Sequence, residues 1–358
     1  PMPDRRFDPP FSRRGFLGVA GSAGLLCALG KPIEQATTKD VARADAYAAR
    51  LQKPDSARLS AAQAASPDTA AQPQPGGVVR EYWIAARSLR WDIAPSGQDE
   101  WMRMKVTGPK TFRALVYQQY STGFGKPIGA AGMPGPTLEG EVGDVIRVHF
   151  RNADESLNQA LTMHPHGVKY SPQYDGTYMG LFTLAGGFIA PGEEFTYTWE
   201  CTPDSVGVWP YHDHGPNHTL NTMRGLFGAV IVRPKGAPRP DVETVLFMHS
   251  FPPNVTRLNR LFHTINGRAF AGNTPTVRAS AGQKVAWHVI GGDGNQHTFH
   301  VHGHRWQSAT GANVDNPSFG PHETVTASWT EDNPGRWLYH CHVFQHQDAG
   351  MAGWYLVE

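Results

Sequence analysis

Cysteine is scarce in this chain. There are three in 358 residues, Cys27, Cys201 and Cys341. Cys27 falls in an N-terminal stretch that reads as removable, so a disulfide framework is excluded. Cys201 is expected as a small buried hydrophobe. Charge is also sparse, at 18% of residues with a net of +1. That balance excludes a nucleic-acid surface, which needs a basic excess. Long apolar runs are missing too. The hydrophobic stretch after Arg14 ends near Gly30 and is too short for a comfortable membrane span, so no stable membrane insertion is expected. The nine methionines are scattered and form no rich insertion.

Glycine and proline are abundant, at 39 and 29, which suits turn-rich all-β structure. The first 30 residues are a separate matter. Ser12-Arg13-Arg14-Gly15-Phe16-Leu17 opens a basic region followed by a short apolar one, the layout of a signal peptide. The paired arginines resemble a twin-arginine signal, which implies a periplasmic or secreted protein. Residues 31–77 are rich in Ala, Gln, Ser, Asp and Pro. They are expected to form a tether outside the folded body, with a possible helix over Lys39 to Gln52.

From Val78 the pattern changes to short β-branched and aromatic runs such as Val145–Phe150 and Phe227–Val232, punctuated by turn residues. The body is then written twice. Pro136-Thr137-Leu138 with Gly143 and His149 recurs as Pro275-Thr276-Val277 with Gly282 and His288. His164-Pro165-His166-Gly167 recurs as His300-Val301-His302-Gly303. Trp209-Pro210-Tyr211-His212-Asp213-His214 recurs as Trp337-Leu338-Tyr339-His340-Cys341-His342, and Gly225-Leu226-Phe227-Gly228 as Gly350-Met351-Ala352-Gly353. Four blocks in one order predict two homologous β-sandwich domains, 78–234 and 241–358.

Each repeat carries two His-x-His pairs. On a strand both rings of such a pair share a face. The eight imidazoles exceed the four ligands of one zinc site, and imidazole by itself suits zinc, copper, iron or nickel. Cys341 narrows the choice. If His340 and His342 share one face, Cys341 points to the other, where His297, His346 and Met351 can meet it. Two histidines, a thiolate and a weak axial methionine are the ligands of a blue-copper electron-transfer centre. One strand then serves two sites, and the thiolate has a short covalent path to His340 and His342. The first repeat has Asp213 at the Cys341 position and Leu226 at the Met351 position, so it lacks a blue site. His218, which matches His346, is expected to be structural there.

With these residues in place, the body resembles the multicopper oxidases, and within them the two-domain small laccases. That resemblance implies two cupredoxin-like Greek-key β-sandwiches and four coppers per chain. It implies type 1 copper on His297, Cys341, His346 and Met351, and type 2 copper on His164 and His300. A type 3 pair would sit on His166, His212, His214, His302, His340 and His342. It implies oxidation of a small-molecule reducing substrate, a phenol or aromatic amine, with O2 reduced to water. It also implies a homotrimer with the cluster at subunit interfaces. Tyr170, Asp175 and Asp213 are candidate catalytic helpers, the aspartates as orienters of ligand imidazoles or proton carriers. His304 reads as structural, and His149, His249, His263, His288 and His322 carry no motif. Cuprous-ion oxidation in copper tolerance is the main alternative. Copper nitrite reduction and copper storage on the same fold rank behind it.

Overall fold

The computed structural model describes residues 33–54 and 71–358. The N-terminal signal and Cys27 lie outside the described residues. The first domain builds on strands β1 (Val79–Asp92), β2 (Thr111–Tyr120), β3 (Leu138–Glu141), β4 (Val145–Asn152), β5 (His164–Pro165), β6 (Glu194–Glu200), β7 (Gly207–His212) and β8 (Phe227–Arg233). Its two four-stranded sheets run β2-β1-β4-β6 and β3-β8-β7-β5. The second domain repeats this with β9 (Val242–Phe251), β10 (Phe262–Ile265), β11 (Val277–Ala279), β12 (Lys284–Gly291), β13 (His300–Val301), β14 (Thr324–Thr330), β15 (Gly335–His340) and β16 (Ala352–Val357). Its sheets run β10-β9-β12-β14 and β11-β16-β15-β13, the same order strand for strand. In both domains the first strand pairs parallel to the fourth, and the last strand pairs parallel to the third.

Period-two alternation explains why the two sandwiches form one body. In β8, Val230 and Val232 point into the first core, while Phe227, Ala229 and Ile231 point the other way. In β9, Leu246 and Met248 enter the second core, while Phe247 and Phe251 face outward from it. The outward sets meet, with Phe112, Trp91 and Phe262, in a buried layer between the domains. Full burial of such side chains is worth roughly 1.5–3 kcal/mol each. That is why every residue of β8 is buried.

The repeat holds down to single bonds. Tyr211 Oη donates to the Pro136 carbonyl at 2.6 Å, and Tyr339 Oη to the Pro275 carbonyl at 2.6 Å. The glycine after the first His-x-His of each domain is left-handed, Gly167 at φ 71° and Gly303 at φ 74°. A Cβ there would meet Trp209 at 2.1 Å or Trp337 at 3.0 Å, so the conformation and the indole lid both call for glycine.

One expectation is corrected. Part of the stretch read as a tether packs on the body. Helix α1 (Thr38–Ala48) starts at Thr37 with a reciprocal capping box to Asp40. Val41, Ala44 and Ala48, spaced i, i+3, i+7, are buried on one face. Val41 and Ala44 pack with Leu220 of the first domain and Val255 of the second. Asn254 Nδ2 donates to the carbonyls of Ile33 and Ala36, both at 2.8 Å. The composition is that of a linker, but the small side chains are what let the helix lie close. Among the described residues no helix is long and apolar enough to cross a membrane.

Candidate copper centres

Strand β15 ends at His340, and Cys341 follows, fully buried against the second core. Short helix α3 (Phe344–Asp348) turns His346 back toward it. His297 arrives from a two-residue strand paired with Phe319. His346 Nδ1 lies 3.6 Å and His297 Nδ1 3.9 Å from Cys341 Sγ. The three ligand atoms fall within 4.8 Å of one another. That spacing suits donors to one ion at about 2.0–2.3 Å each. Met351 is buried in the same cluster, and its backbone closes the loop by bonding Cys341 and His346.

Burial pushes the Cys341 thiol up, but hydrogen bonds from His297 and His346 outweigh it and bring the thiol down to about 6. Burial also pulls His297 down, and bonds to Asp293 and Cys341 reverse this, raising it to about 9. The donors are thus poised as thiolate and imidazolium, and a soft cation can take the proton's place. Asp293 was not foreseen. Its carboxylate takes His297 Nε2 at 3.1 Å, with both side chains fully buried. That contact fixes the ring so that Nδ1 faces the sulfur. The only sequence signal was its i, i+4 spacing from His297.

The eight paired histidines form two equivalent sets. In the first domain, β5 and β7 place His164 opposite His212. In the second, β13 and β15 place His300 opposite His340. His166 Nε2 lies 3.1 Å from His212 Nε2, and His302 Nε2 3.1 Å from His340 Nε2. His214 joins the first set with its ring 5.1 Å from His164, and His342 the second with its ring 5.6 Å from His300. Only the first member of each strand-end pair lies in regular strand in β7 and β15. The second sits just past the strand end, yet the rings stay 5.6 Å and 5.2 Å apart.

Backbone carbonyls set the tautomers. His164 Nδ1 donates to the Asp175 carbonyl at 2.6 Å, and His212 Nδ1 to the Asp213 carbonyl at 2.8 Å. His300 Nδ1 donates to the Asp315 carbonyl at 2.8 Å, and His340 Nδ1 to the Cys341 carbonyl at 2.9 Å. A carbonyl only accepts, so these Nδ1 atoms carry the proton and each Nε2 carries the lone pair that a metal would take. Burial lowers His166, His214 and His340 to about 4, aided by neighbouring rings, so they stay neutral donors in mildly acidic solution. The donor chemistry and convergence of both sets fit copper. Asp315 was missed because a backbone carbonyl leaves no residue signature.

The three candidate helpers differ. Asp175 also brings Oδ1 to 3.3 Å from His164 Nδ1. Tyr170 bonds the Asp175 side chain and stands edge-on to His164, ring centroids 6.1 Å apart. Burial, then Asp175, pushes Tyr170 up to about 12. Asp213 is fully buried, and its carboxylate takes Thr162 N at 2.8 Å and Asn221 Nδ2 at 3.1 Å. Its carbonyl, not its carboxylate, orients His212. Burial raises the Asp213 carboxyl to about 6 against those bonds.

Cys201 is buried, unpaired and pushed up by burial to about 12, an inert packing residue. His218 stacks on His214 at 4.5 Å. His304 is held by Glu331 at 3.0 Å. Two motif-free histidines sit beside the centres. His263 stacks on His346 at 4.1 Å, and His322 stacks on His212 at 4.5 Å.

Comparison with known proteins agrees with this geometry. Two family models, both described as multicopper oxidase, match residues 128–237 and 238–358. Mouse hephaestin is 27% identical over 351 residues, covering 79% of this chain and 30% of hephaestin. A probable nitrite reductase-hydroxylamine oxidoreductase fusion protein of Kuenenia stuttgartiensis is 32% identical over 251 residues, covering 63% of this chain and 28% of its own length. Mouse coagulation factor V is 29% identical over 304 residues, which is 77% of this chain and 13% of that one. The chain thus spans less than a third of these relatives. Among solved structures, a multicopper oxidase matches at 27% identity and TM-score 0.62, over 80% of this chain and 92% of that one. A copper nitrite reductase from Nitrosomonas europaea, at 19% identity and TM-score 0.57, covers 78% of this chain and 94% of its own and shares the fold. With two consecutive domain matches and both histidine sets complete, the chain belongs to the multicopper oxidase family.

Proposed function

We propose that this protein is a laccase-like oxidase with four coppers per chain, taking single electrons from a phenol or aromatic amine and reducing O2 to water. One observation carries the reading: Cys341 closes a buried His297–Cys341–His346 site while the adjacent His340 belongs to a four-histidine set. Copper, when bound, supplies one-electron transfer at the thiolate and O2 reduction among the histidines. The chain's own residues do the rest. Asp293 and the carbonyls of Asp175, Asp213, Asp315 and Cys341 hold the rings in register. Burial keeps water from Cys341.

The reducing substrate is assigned to a cavity of about 550 Å³ lined by His263, Asp293, Ser250 and Leu261. His263 there stacks on His346, and Asp293 Oδ2 is buried without a partner. Among the described residues no ring contact joins the two histidine sets within one chain, and His302 and His342 are exposed. This supports completion of the cluster between copies, in a homotrimer. Arg13-Arg14 supports export to the periplasm or beyond. The test is O2 uptake by copper-loaded protein with 2,6-dimethoxyphenol. Four phenols oxidised per O2, with water and no peroxide formed, is expected. Nitrite reduction without O2 uptake would replace this reading with the nitrite-reductase one.

Cuprous-ion oxidation is the second reading, favoured by one feature. Met102 and Met104, two residues apart, stand exposed together and share a cavity of about 510 Å³ with Asp99 and Asp348 beside α3. O2 uptake with Cu(I) that exceeds uptake with phenols, and falls in Met102→Ala/Met104→Ala, would favour it.

A further inference from the structure

We propose that Asp45, on helix α1, is a positioning residue for the first domain's histidine set, acting through helix α2 (His218–Met223). Asp45 holds both ends of that helix. Its carboxylate takes Nδ2 of Asn217, the N-cap, at 2.9 Å. It also takes Arg224, the C-cap, through Nη1 at 2.9 Å and Nη2 at 2.7 Å. Gln159 Nε2 adds a fourth bond at 3.0 Å, and Gln159 Oε1 in turn accepts from Asn217 at 3.0 Å. Arg224 is 7% and Asp45 19% exposed at the side chain, so the pair is shielded and bidentate.

The other face of α2 holds two of the ligand histidines. His218 stacks flat on His214, at 4.5 Å and 19°. Asn221 Nδ2 bonds the Asp213 carboxylate, and Thr222 Oγ1 reaches the Asp213 carbonyl at 3.4 Å. That carbonyl accepts from His212 Nδ1. The helix therefore orients His212 and His214, and Asp45 holds the helix.

The second domain shows why such a hold is needed. There the equivalent helix, α3, carries His346, and a shared ion with Cys341 would tie it down. In the first domain Leu161, Asp213 and Leu226 stand at the positions of His297, Cys341 and Met351, so α2 has no ion to hold it. The Asp45–Arg224–Asn217 hub takes that role, supplied from a segment outside both sandwiches.

This inference rests on the proposed copper cluster. The test uses full-length, copper-loaded protein. Blue absorption reports the Cys341 centre, and non-blue copper is followed by total copper and by type 2 electron paramagnetic resonance during competition with a chelator. Asp45→Asn should keep the blue band and lose non-blue copper about 10–100-fold more readily, the range for removing an outer partner of a ligand. Asn217→Ala, which leaves the Asp45–Arg224 pair intact, should do the same to a smaller degree and decides the matter if Asp45→Asn does not fold. Lys53→Ala, which removes only an exposed pair with Glu193, should match wild type. Retention equal to wild type in the Asp45 and Asn217 variants overturns the inference alone. So does parallel loss of blue and non-blue copper, since that is general destabilisation. A wild-type chain without non-blue copper overturns the cluster reading and the inference together.

Discussion

The two domains share strand order, tyrosine anchors and a four-histidine set at the same sheet edge, yet differ at three buried positions, the most telling of them between the last two histidines. The second domain has Cys341 there, with two imidazoles at 3.6 and 3.9 Å. The first has Asp213, gripped by Thr162 and Asn221. Both side chains lie behind the histidine set, and both precede a short helix. Where the sulfur stands, two imidazole Nδ1 atoms converge on it. Where the carboxylate stands, amide donors converge. One scaffold position is thus a candidate soft-cation site in one copy and a hydrogen-bonded anchor in the other.

The largest break in that comparison is Cys341→Ser. It should abolish the blue absorption and substrate oxidation while leaving the histidine sets able to bind copper, as read by total copper and the visible spectrum. Asp213→Ala should do the reverse, keeping the blue band and weakening non-blue copper. Next, His212→Ala and His340→Ala should each remove non-blue copper to a similar extent, because the two sets are geometrically equivalent. Unequal losses would show that one set dominates.

Asp293→Asn should weaken retention of the blue copper about 10–100-fold, because the carboxylate orients His297 and raises its basicity. No partner of this kind exists at Leu161. Met351→Leu is a smaller change. It should leave the site folded and raise its reduction potential, since a thioether donor is removed. A fall in potential would count against Met351 as axial ligand.

A separate effect is on stability. His166, His214 and His340 are held neutral down to about pH 4 in the folded chain. In the unfolded chain they take protons near 6.5. The metal-free protein should therefore lose stability as pH falls from about 6.5 to 4, by roughly 1–3 kcal/mol per ring, with no further loss from these groups below that. Urea midpoints across this range would check it. Replacing His166 and His214 should flatten the slope.

The repeat made the candidate copper ligands stand out before any coordinates. Four blocks in order placed eight histidines in pairs, and Cys341 stood alone among them. The absence of a thiolate from the first domain was legible the same way, from Asp213. What was not legible depended on contacts between distant segments or on backbone atoms. Asp293 lies in a glycine-rich turn that resembles any loop. The carbonyls of Asp175 and Asp315 act whatever side chain they carry. His263 and His322 approach their partners only through the domain packing. Helix α1 lay in a stretch with the composition of a linker, and Asp45 finds Arg224 across most of the first domain's sequence. Burial of Asp213 was hidden because a buried carboxylate is rare and needs the donors of Thr162 and Asn221 to be tolerated.

The most direct test of the central claim is copper per chain on protein loaded with excess copper, read together with its absorption and electron paramagnetic resonance spectra. Four coppers are expected, one of them blue and lost in Cys341→Ser, the other three dependent on histidines from both domains. Two coppers per chain, or a blue centre that survives Cys341→Ser, would contradict it.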